Sequence, residues 1–469
     1  MKFELDFIVK ATQGKLISSP HQAFVGYTCD NREPDLQHKI FIPLVGENHD
    51  AHQYVEKAVQ AGVTGVLFHQ WDAQWEPLKE RVSFIQVDDT LVALQQWAKA
   101  WRQTFKGRVL GLTGSNGKTT TKDFLYQIIK PLASVHSSQG SYNNHWGVPF
   151  TLLDSDPKSD YVIVEMGMNH GGEILELVKI AEPDLVTVTN VGRAHIGNFS
   201  NGVEGIASAK EEIYVGAKPA AKLLFNIDND WTRQMYQKYM DRETYTYSTK
   251  NFSADVYFKV KNKTKKGFLI EGQIGGVLGQ AEVCFWGEHN VQNLCAAVAL
   301  AYIGGVRPEK LWPVLEQTHS GWGRNQWIKT QSGAEILFDG YNANPDSFAQ
   351  LLSNTEDIVK NNPALAIFGE MLELGEDTQK EHESLGERAG RLPWSKAIFI
   401  GPSGKAFERG WKASGNKNNP IILSTYKESL DLDLSSMVDN QSFIIVKGSR
   451  GGALERIVER FEPLGFTRK

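Results

Sequence analysis

A chain of 469 residues, 41% hydrophobic and 22% charged, has a globular composition and length enough for about three domains, which excludes wholesale disorder, fibrous repeats and a single small module. Fifty Lys and Arg against 55 Asp and Glu give a net charge of -5 with no basic block dense enough to track a phosphate backbone, so nucleic acid is not an expected partner. Cys29, Cys284 and Cys295 have no CxxC spacing, Glu4 and Asp6 interrupt any signal-peptide pattern, and the longest uncharged apolar run, 294–306, is short of the ~20 residues of a membrane span; a monomeric protein of the reducing cytoplasm is expected, with no membrane insertion.

Residues 1–104 alternate β-rich runs (39–45, 63–68, 82–87) with helical periodicity (51–61, 90–102), which predicts a small α/β domain. From residue 108 the rhythm becomes strand, glycine loop and helix, followed by apolar strands ending in polar residues at 161–166, 184–189 and 223–228. Buried strands of that kind form parallel sheets with chemistry at their carboxyl ends. Period-2 alternation over 245–287 predicts a β-meander appended to this sheet. A further unit begins near His319, with strands at 335–338, 364–368, 396–400, 421–423 and 443–446 separated by helical stretches. The predicted fold class is therefore α/β in three domains: a small α/β domain at 1–104, a central phosphate-loop domain at 105–318 with a parallel sheet and the meander, and a Rossmann-like doubly wound domain at 319–469.

The segment Gly111-Leu-Thr-Gly-Ser-Asn-Gly-Lys-Thr-Thr-Thr121 lies between a strand and a helix, where a phosphate loop belongs. Glycines let successive backbone N–H groups face the phosphates, and the helix start adds partial positive charge. Lys118 supplies a full charge, and the Thr119 hydroxyl can ligate Mg²⁺. The spacing is GxxGxxGK[ST], since Leu112 stands where the strict motif has its first glycine. Neither Asn-Lys pair, at 262 and 416, continues into the NKxD of a GTPase. Glu165 ends the next apolar strand and reads equally as a Mg²⁺ ligand or a solvated strand-end carboxylate. His195, in NVGRAHIGNF, reads as a structural loop histidine or a ligand to a second cation, and Lys210, in SAKEEIY, as a solvated helix lysine.

Taken together, GSNGKTT at 114–120, Glu165, His195, AKEEI around Lys210 and GEHNVQN at 287–293 resemble the Mur ligases, ATP-dependent amide-forming enzymes of peptidoglycan precursor synthesis. NNHWGVP at 143–149, YNANPDS at 341–347 and GEMLELGE at 369–376 resemble the branch that joins D-alanyl-D-alanine to UDP-N-acetylmuramoyl tripeptide. The resemblance implies that Gly114, Ser115, Asn116, Gly117, Lys118, Thr119 and Thr120 cradle ATP, that Thr119 and Glu165 hold one Mg²⁺, and that His195 and a CO₂-derived carbamate on Lys210 hold a second. It further implies that Asn290, Asn293, Arg324 and Asp339 contact the nucleotide, and that Arg32 and Asp50, with Asn143, Asn144, Tyr341, Asn342 and Asn344, contact the other substrates. Ala51, Ser141 and Phe338 depart from the family's usual residues, and Arg32 read alone is a surface guanidinium. Three other readings compete: a sibling amide ligase or folylpolyglutamate synthase, which NNHWGVP and YNANP argue against; a non-catalytic nucleotide switch, which would need only the loop; and a dehydrogenase, whose GxGxxG is not matched by Gly448-Ser-Arg-Gly-Gly452.

Overall fold

A computed structural model describes residues 1–46, 49–264 and 267–467. Its first sheet has the order Lys15–Ser18, Ser83–Gln86, Gly65–Phe68, Ile40–Phe41, Tyr27–Thr28, parallel except for the first pair. The run expected over 39–45 joins this sheet only at Ile40–Phe41, because Pro43 has no N–H to give to a ladder, and Val45–Gly46 pairs instead with His49–Asp50. The helix expected over 51–61 starts as a 3₁₀ turn, Ala51–Tyr54, with Asp50 accepting from the His52 amide. Helix Thr90–Arg102 begins where Asp89 caps the amides of Leu91 and Val92, so its bounds coincide with the periodicity.

That helix is the seam between the first and second sheets. Trp97 and Ala98 share one buried cluster with Val148, Leu152, Val178 and Tyr214, and Arg102 donates to the carbonyls of Ala181 and Glu182. The central sheet has nine strands in the order Val135–Ser137, Tyr161–Glu165, Arg108–Thr113, Leu185–Val188, Lys222–Asn226, Thr244–Ser248, Val256–Lys263, Phe268–Ile274, Val277–Val283. It is parallel through Val256–Lys263 and antiparallel beyond, where the expected meander lies. Helix Glu288–Ile303 packs on helix Lys118–Ile129 and is apolar nearly all round, with Leu294, Ala297 and Leu300 wholly buried.

The third sheet runs Gln326–Lys329, Glu335–Asp339, Phe443–Lys447, Ala364–Gly369, Lys396–Ile400, Ile421–Leu423, parallel except for the first pair. It meets the central unit at Trp286 and Trp327, whose rings stack 5.4 Å apart at 26°. Strand Arg108–Thr113 sits between Tyr161–Glu165 and Leu185–Val188, so the chain leaves it at the point where strand order reverses. At such a switch point the loops part and leave a crevice at the carboxyl ends. No helix among the described residues is long and apolar enough to cross a membrane.

Candidate active site

The phosphate loop fills that crevice and is held from behind. Ser115 and Asn116 donate their amides to the backbone and side-chain oxygens of Asn190, and Thr189 Oγ1 donates to the Asn116 carbonyl at 2.6 Å. Gly117 starts the helix at φ 79°, and a Cβ there would lie 2.2 Å from Asn293 Oδ1. Gly117→Ala combines left-handed strain with a clash against the packed Asn293. It is expected to lower unfolding stability by more than ~1 kcal/mol and to weaken ATP binding, checked by denaturant titration and calorimetry.

Lys118 donates to the Gly114 carbonyl at 2.7 Å. Desolvation lowers its pKa, Glu165 opposes that and Arg324 adds to it. Glu165 is buried: its Oε1 accepts from Thr119 Oγ1 at 3.1 Å and Asn143 Nδ2 at 2.9 Å, while Oε2 has no hydrogen-bond partner and lies 3.8 Å from Lys122 Nζ. Lys122, itself buried, donates to the carbonyls of Ser138 and Gly140 and so fixes the loop that carries Asn143.

His195 adopts φ 64°, and its Nδ1 lies 2.6 Å from Glu373 Oε2, off the hydrogen-bonding axis of the ring. Glu373 is also left-handed, at φ 63°, and the His195 contact lowers its pKa. Lys210 contradicts the reading as a solvated helix lysine: it is 1% exposed, with no hydrogen-bond or ion-pair partner among the described residues. Burial and the Lys118 charge hold its pKa well below the usual lysine range.

The third segment closes the cavity. Tyr341 donates to Ser141 Oγ at 2.6 Å under the Arg324 guanidinium, which lies 4.1 Å from the ring centroid. Lys447 donates to Asp339 Oδ2 at 2.6 Å and to the Asn342 carbonyl at 3.2 Å. Asn344 Nδ2 reaches across to Asn116 Oδ1 at 2.7 Å. On the helix Glu288–Ile303, Asn290 donates to the Trp286 carbonyl and accepts from Asn293.

The cleft, about 360 Å³, is lined by Ser115, Asn116, Gly117, Lys118, Thr119 and Thr120. Asn143, Glu165, His195, Asn290 and Asn293 also line it, as do Arg324, Asp339, Tyr341, Asn342 and Asn344. A second cavity, about 620 Å³, lies between the first segment and the central one and is lined by Arg32, Tyr54, Lys57, His145 and Trp146 among others. The segment 143–146 thus contributes to both.

Residues 112–301 match the Mur ligase middle domain and residues 323–450 the Mur ligase, glutamate ligase domain. Over 457 residues the chain is 35% identical to a Bacillus subtilis (strain 168) protein named UDP-N-acetylmuramoyl-tripeptide--D-alanyl-D-alanine ligase, covering 96% of each. The chain belongs to the Mur ligase family. Among solved Mur ligases, MurF from Acinetobacter baumannii superposes with a TM-score of 0.87 at 28% identity, covering 98% of this chain and 99% of that one. MurF ligase from Thermotoga maritima, crystallised in complex with ADP, superposes with a TM-score of 0.78 at 25% identity, covering 93% and 96%.

Five of the residues singled out from the sequence do not line the cavity of this Mur ligase at the phosphate loop. Gly114 shapes the loop from below and Lys210 lies in the core of helix Gly202–Val215. Asn144 Oδ1 accepts from the Gly147 amide and caps the following helix. Arg32 lines the second cavity, 83% exposed and paired with Asp30 at 2.7 Å. Asp50 lines neither of these two cavities, because its carboxylate turns to His52 Nδ1 at 2.6 Å; Glu47 and Asn48 just before it in the chain lie outside the described residues.

The sequence reading passed over Lys122, Arg193, His289, Glu373 and Lys447. Lys447 could have been found, since it ends an apolar strand. His289 sits inside GEHNVQN, and its imidazole is pushed down to about 4 by burial. A hard cation fits beside Glu165, where a buried carboxylate oxygen lacks a donor and a threonine hydroxyl is adjacent.

Proposed function

We propose that this chain joins D-alanyl-D-alanine to UDP-N-acetylmuramoyl tripeptide at the expense of ATP, giving the pentapeptide precursor, ADP and phosphate in peptidoglycan synthesis. The observation that carries this reading is the double use of 143–149. Asn143 touches the carboxylate beside the phosphate loop, while His145 and Trp146 wall the cavity that holds Arg32. An elongated substrate with a nucleotide at one end and a carboxylate at the other can lie along that segment.

In the reaction, the tripeptide carboxylate attacks the γ-phosphorus of ATP in line and ADP leaves, giving an acyl phosphate. The dipeptide amine then attacks its carbonyl carbon, loses a proton, and the tetrahedral intermediate expels phosphate to leave the amide. Lys118 and the loop amides stabilise charge on the transferring group, which matters most in a site shielded from water. Bound Mg²⁺ would offset phosphate charge; Thr119 and Glu165 are the residues to hold one ion, and His195 with a carbamylated Lys210 a second.

Asn290, Asn293, Arg324 and Asp339 are assigned to the nucleotide, and the dipeptide to the side of the His195–Glu373 pair away from the phosphate loop. There a cavity of about 170 Å³ is lined by Ala194, Ala343, Leu372 and Leu374, against which two methyl side chains can pack, and by Asn342, Asn344, Ser449 and Arg450, which offer polar partners to a dipeptide backbone and carboxylate. We divide the chain at 104/105 and 318/319 and place the enzyme in the cytoplasm, acting as a monomer.

Phosphate release is expected only when ATP, UDP-N-acetylmuramoyl tripeptide and D-alanyl-D-alanine are all present. Release that continues with either the tripeptide or the dipeptide omitted would sink the reading. Arg32→Ala is expected to raise KM for the UDP substrate roughly tenfold with KM for ATP unchanged, since the guanidinium lost from the far cavity alone is one that can turn from Asp30 to a diphosphate. Steady-state titration of each substrate separates the two.

A further inference from the structure

The loop between Asn190 and Asn198 lies between two bodies. On one side it is sewn to the phosphate loop: Ser115 Oγ donates to the Gly192 carbonyl at 3.2 Å and accepts from the Gly192 amide at 2.9 Å. On the other side it is gripped by the third segment, and two hydrogen bonds of that grip fall on one residue. The Arg193 amide donates to Asp346 Oδ2 at 3.0 Å, in the first turn of helix Pro345–Asn361. Its guanidinium donates to Glu381 Oε1 at 2.6 Å, in helix Thr378–Gly390. The Glu381 side chain is only 8% exposed and that of Arg193 37%, so the carboxylate is shielded from water on the side of the third segment while the guanidinium reaches it from the partly open loop. The fit leaves no slack: a Cβ on Gly192 would lie 2.8 Å from Asp346 Oδ2. Two residues beyond Arg193 stands His195, in contact with Glu373 of the same third segment.

We infer that Arg193 is a positioning residue that couples docking of the third segment to assembly of the phosphate site. With Asp346 and Glu381 in place, Arg193 fixes the 190–198 loop, and the loop fixes Ser115, Asn116 and His195. With the third segment away, the loop loses both grips, and the phosphate loop loses the wall it is sewn to. Phosphoryl transfer would then be confined to the docked state, where the amine site is also complete, so the acyl phosphate is not made in the open and lost to water. This rests on the ligase reading above.

The test uses the full chain with Arg193→Ala, Glu381→Ala, the double variant, and Glu381→Gln as the milder substitution should either alanine variant fail to fold. ATP affinity is measured by calorimetry, kcat by phosphate release, and the radius of gyration by small-angle scattering with a non-hydrolysable ATP analogue. Expected are a kcat at least tenfold lower in each single variant, an ATP affinity that falls by a clearly smaller factor than kcat because the phosphate loop still binds while Arg324 and Asp339 withdraw, a larger radius of gyration, and a double variant no slower than the slower single. A merely structural role would lower thermal stability without separating kcat from ATP affinity. Arg193→Ala or Glu381→Gln with kcat within twofold of the parent, or single effects that multiply in the double variant, would overturn the coupling. If the parent itself needs no amine for phosphate release, the ligase reading fails, and the scattering measurement still decides whether Arg193 holds the third segment.

Discussion

Lys118→Ala is expected to cut amide formation by about 10²–10³-fold or more, the usual cost of removing a preorganised donor from a transferring group. Folding should survive. The ammonium makes its hydrogen bond to the carbonyl of Gly114, in the loop it serves, and losing that bond costs about 1 kcal/mol. The side chain is poised by opposing charges, with Glu165 favouring the ammonium and Arg324 disfavouring it. Both neighbours line the same cavity, so the lysine is held where negative charge develops rather than neutralised in advance. Phosphate release measured beside a denaturation curve separates chemistry from stability. A folded variant that keeps most of its turnover would remove the phosphate-transfer role from this loop.

Lys210→Ala should be nearly as damaging, with the opposite signature in stability. A lysine 1% exposed and without a counter-ion is costly as an ammonium, and its depressed pKa supplies the neutral amine. That amine can add to CO₂, forming an N–C bond and releasing a proton, to give an anion with two oxygens of the kind magnesium prefers. Activity in Lys210→Ala is expected to fall at least about 100-fold, as for loss of a metal-ligating group, and to return in part with acetate or formate. Lys210→Arg should not respond, because a fixed guanidinium fills the space. Stability of Lys210→Ala in CO₂-free buffer is expected to equal or exceed the parent's, since a buried amine with no hydrogen-bond partner is gone. Near-parental activity in Lys210→Ala would end the carbamate assignment.

The fold was legible wherever one element carries a complete local signal. Strands Lys396–Ile400 and Ile421–Leu423 and helix Thr90–Arg102 coincide with their apolar patterns. Gln326–Lys329 was not legible: QWIK has no two-residue alternation, and it pairs antiparallel at an edge with a strand read separately. The phosphate loop was legible because its chemistry is contiguous.

What sequence alone hid was burial and long-range pairing. Nothing local to SAKEEIY says that Lys210 faces the core, since Glu211 and Glu212 beside it suggest solvent. Asn116 with Asn344 and Arg193 with Glu381 are more than 180 residues apart, each unremarked in its own segment. Glu373 fell within a quoted motif, yet only its contact with His195 distinguishes it from the acidic residues around it.

Trp286, in the connection between the central sheet and helix Glu288–Ile303, and Trp327, in the third sheet, meet ring on ring, 5.4 Å apart. Transition dipoles at that separation couple, so the pair should give the protein a circular-dichroism couplet that isolated indoles lack. Any rotation of the third sheet by one ring's width would uncouple them, and the couplet would fade on the timescale of the movement itself. The enzyme therefore contains its own optical gauge: titrating substrates into unlabelled protein and following that band would show in which order they draw the sheets together.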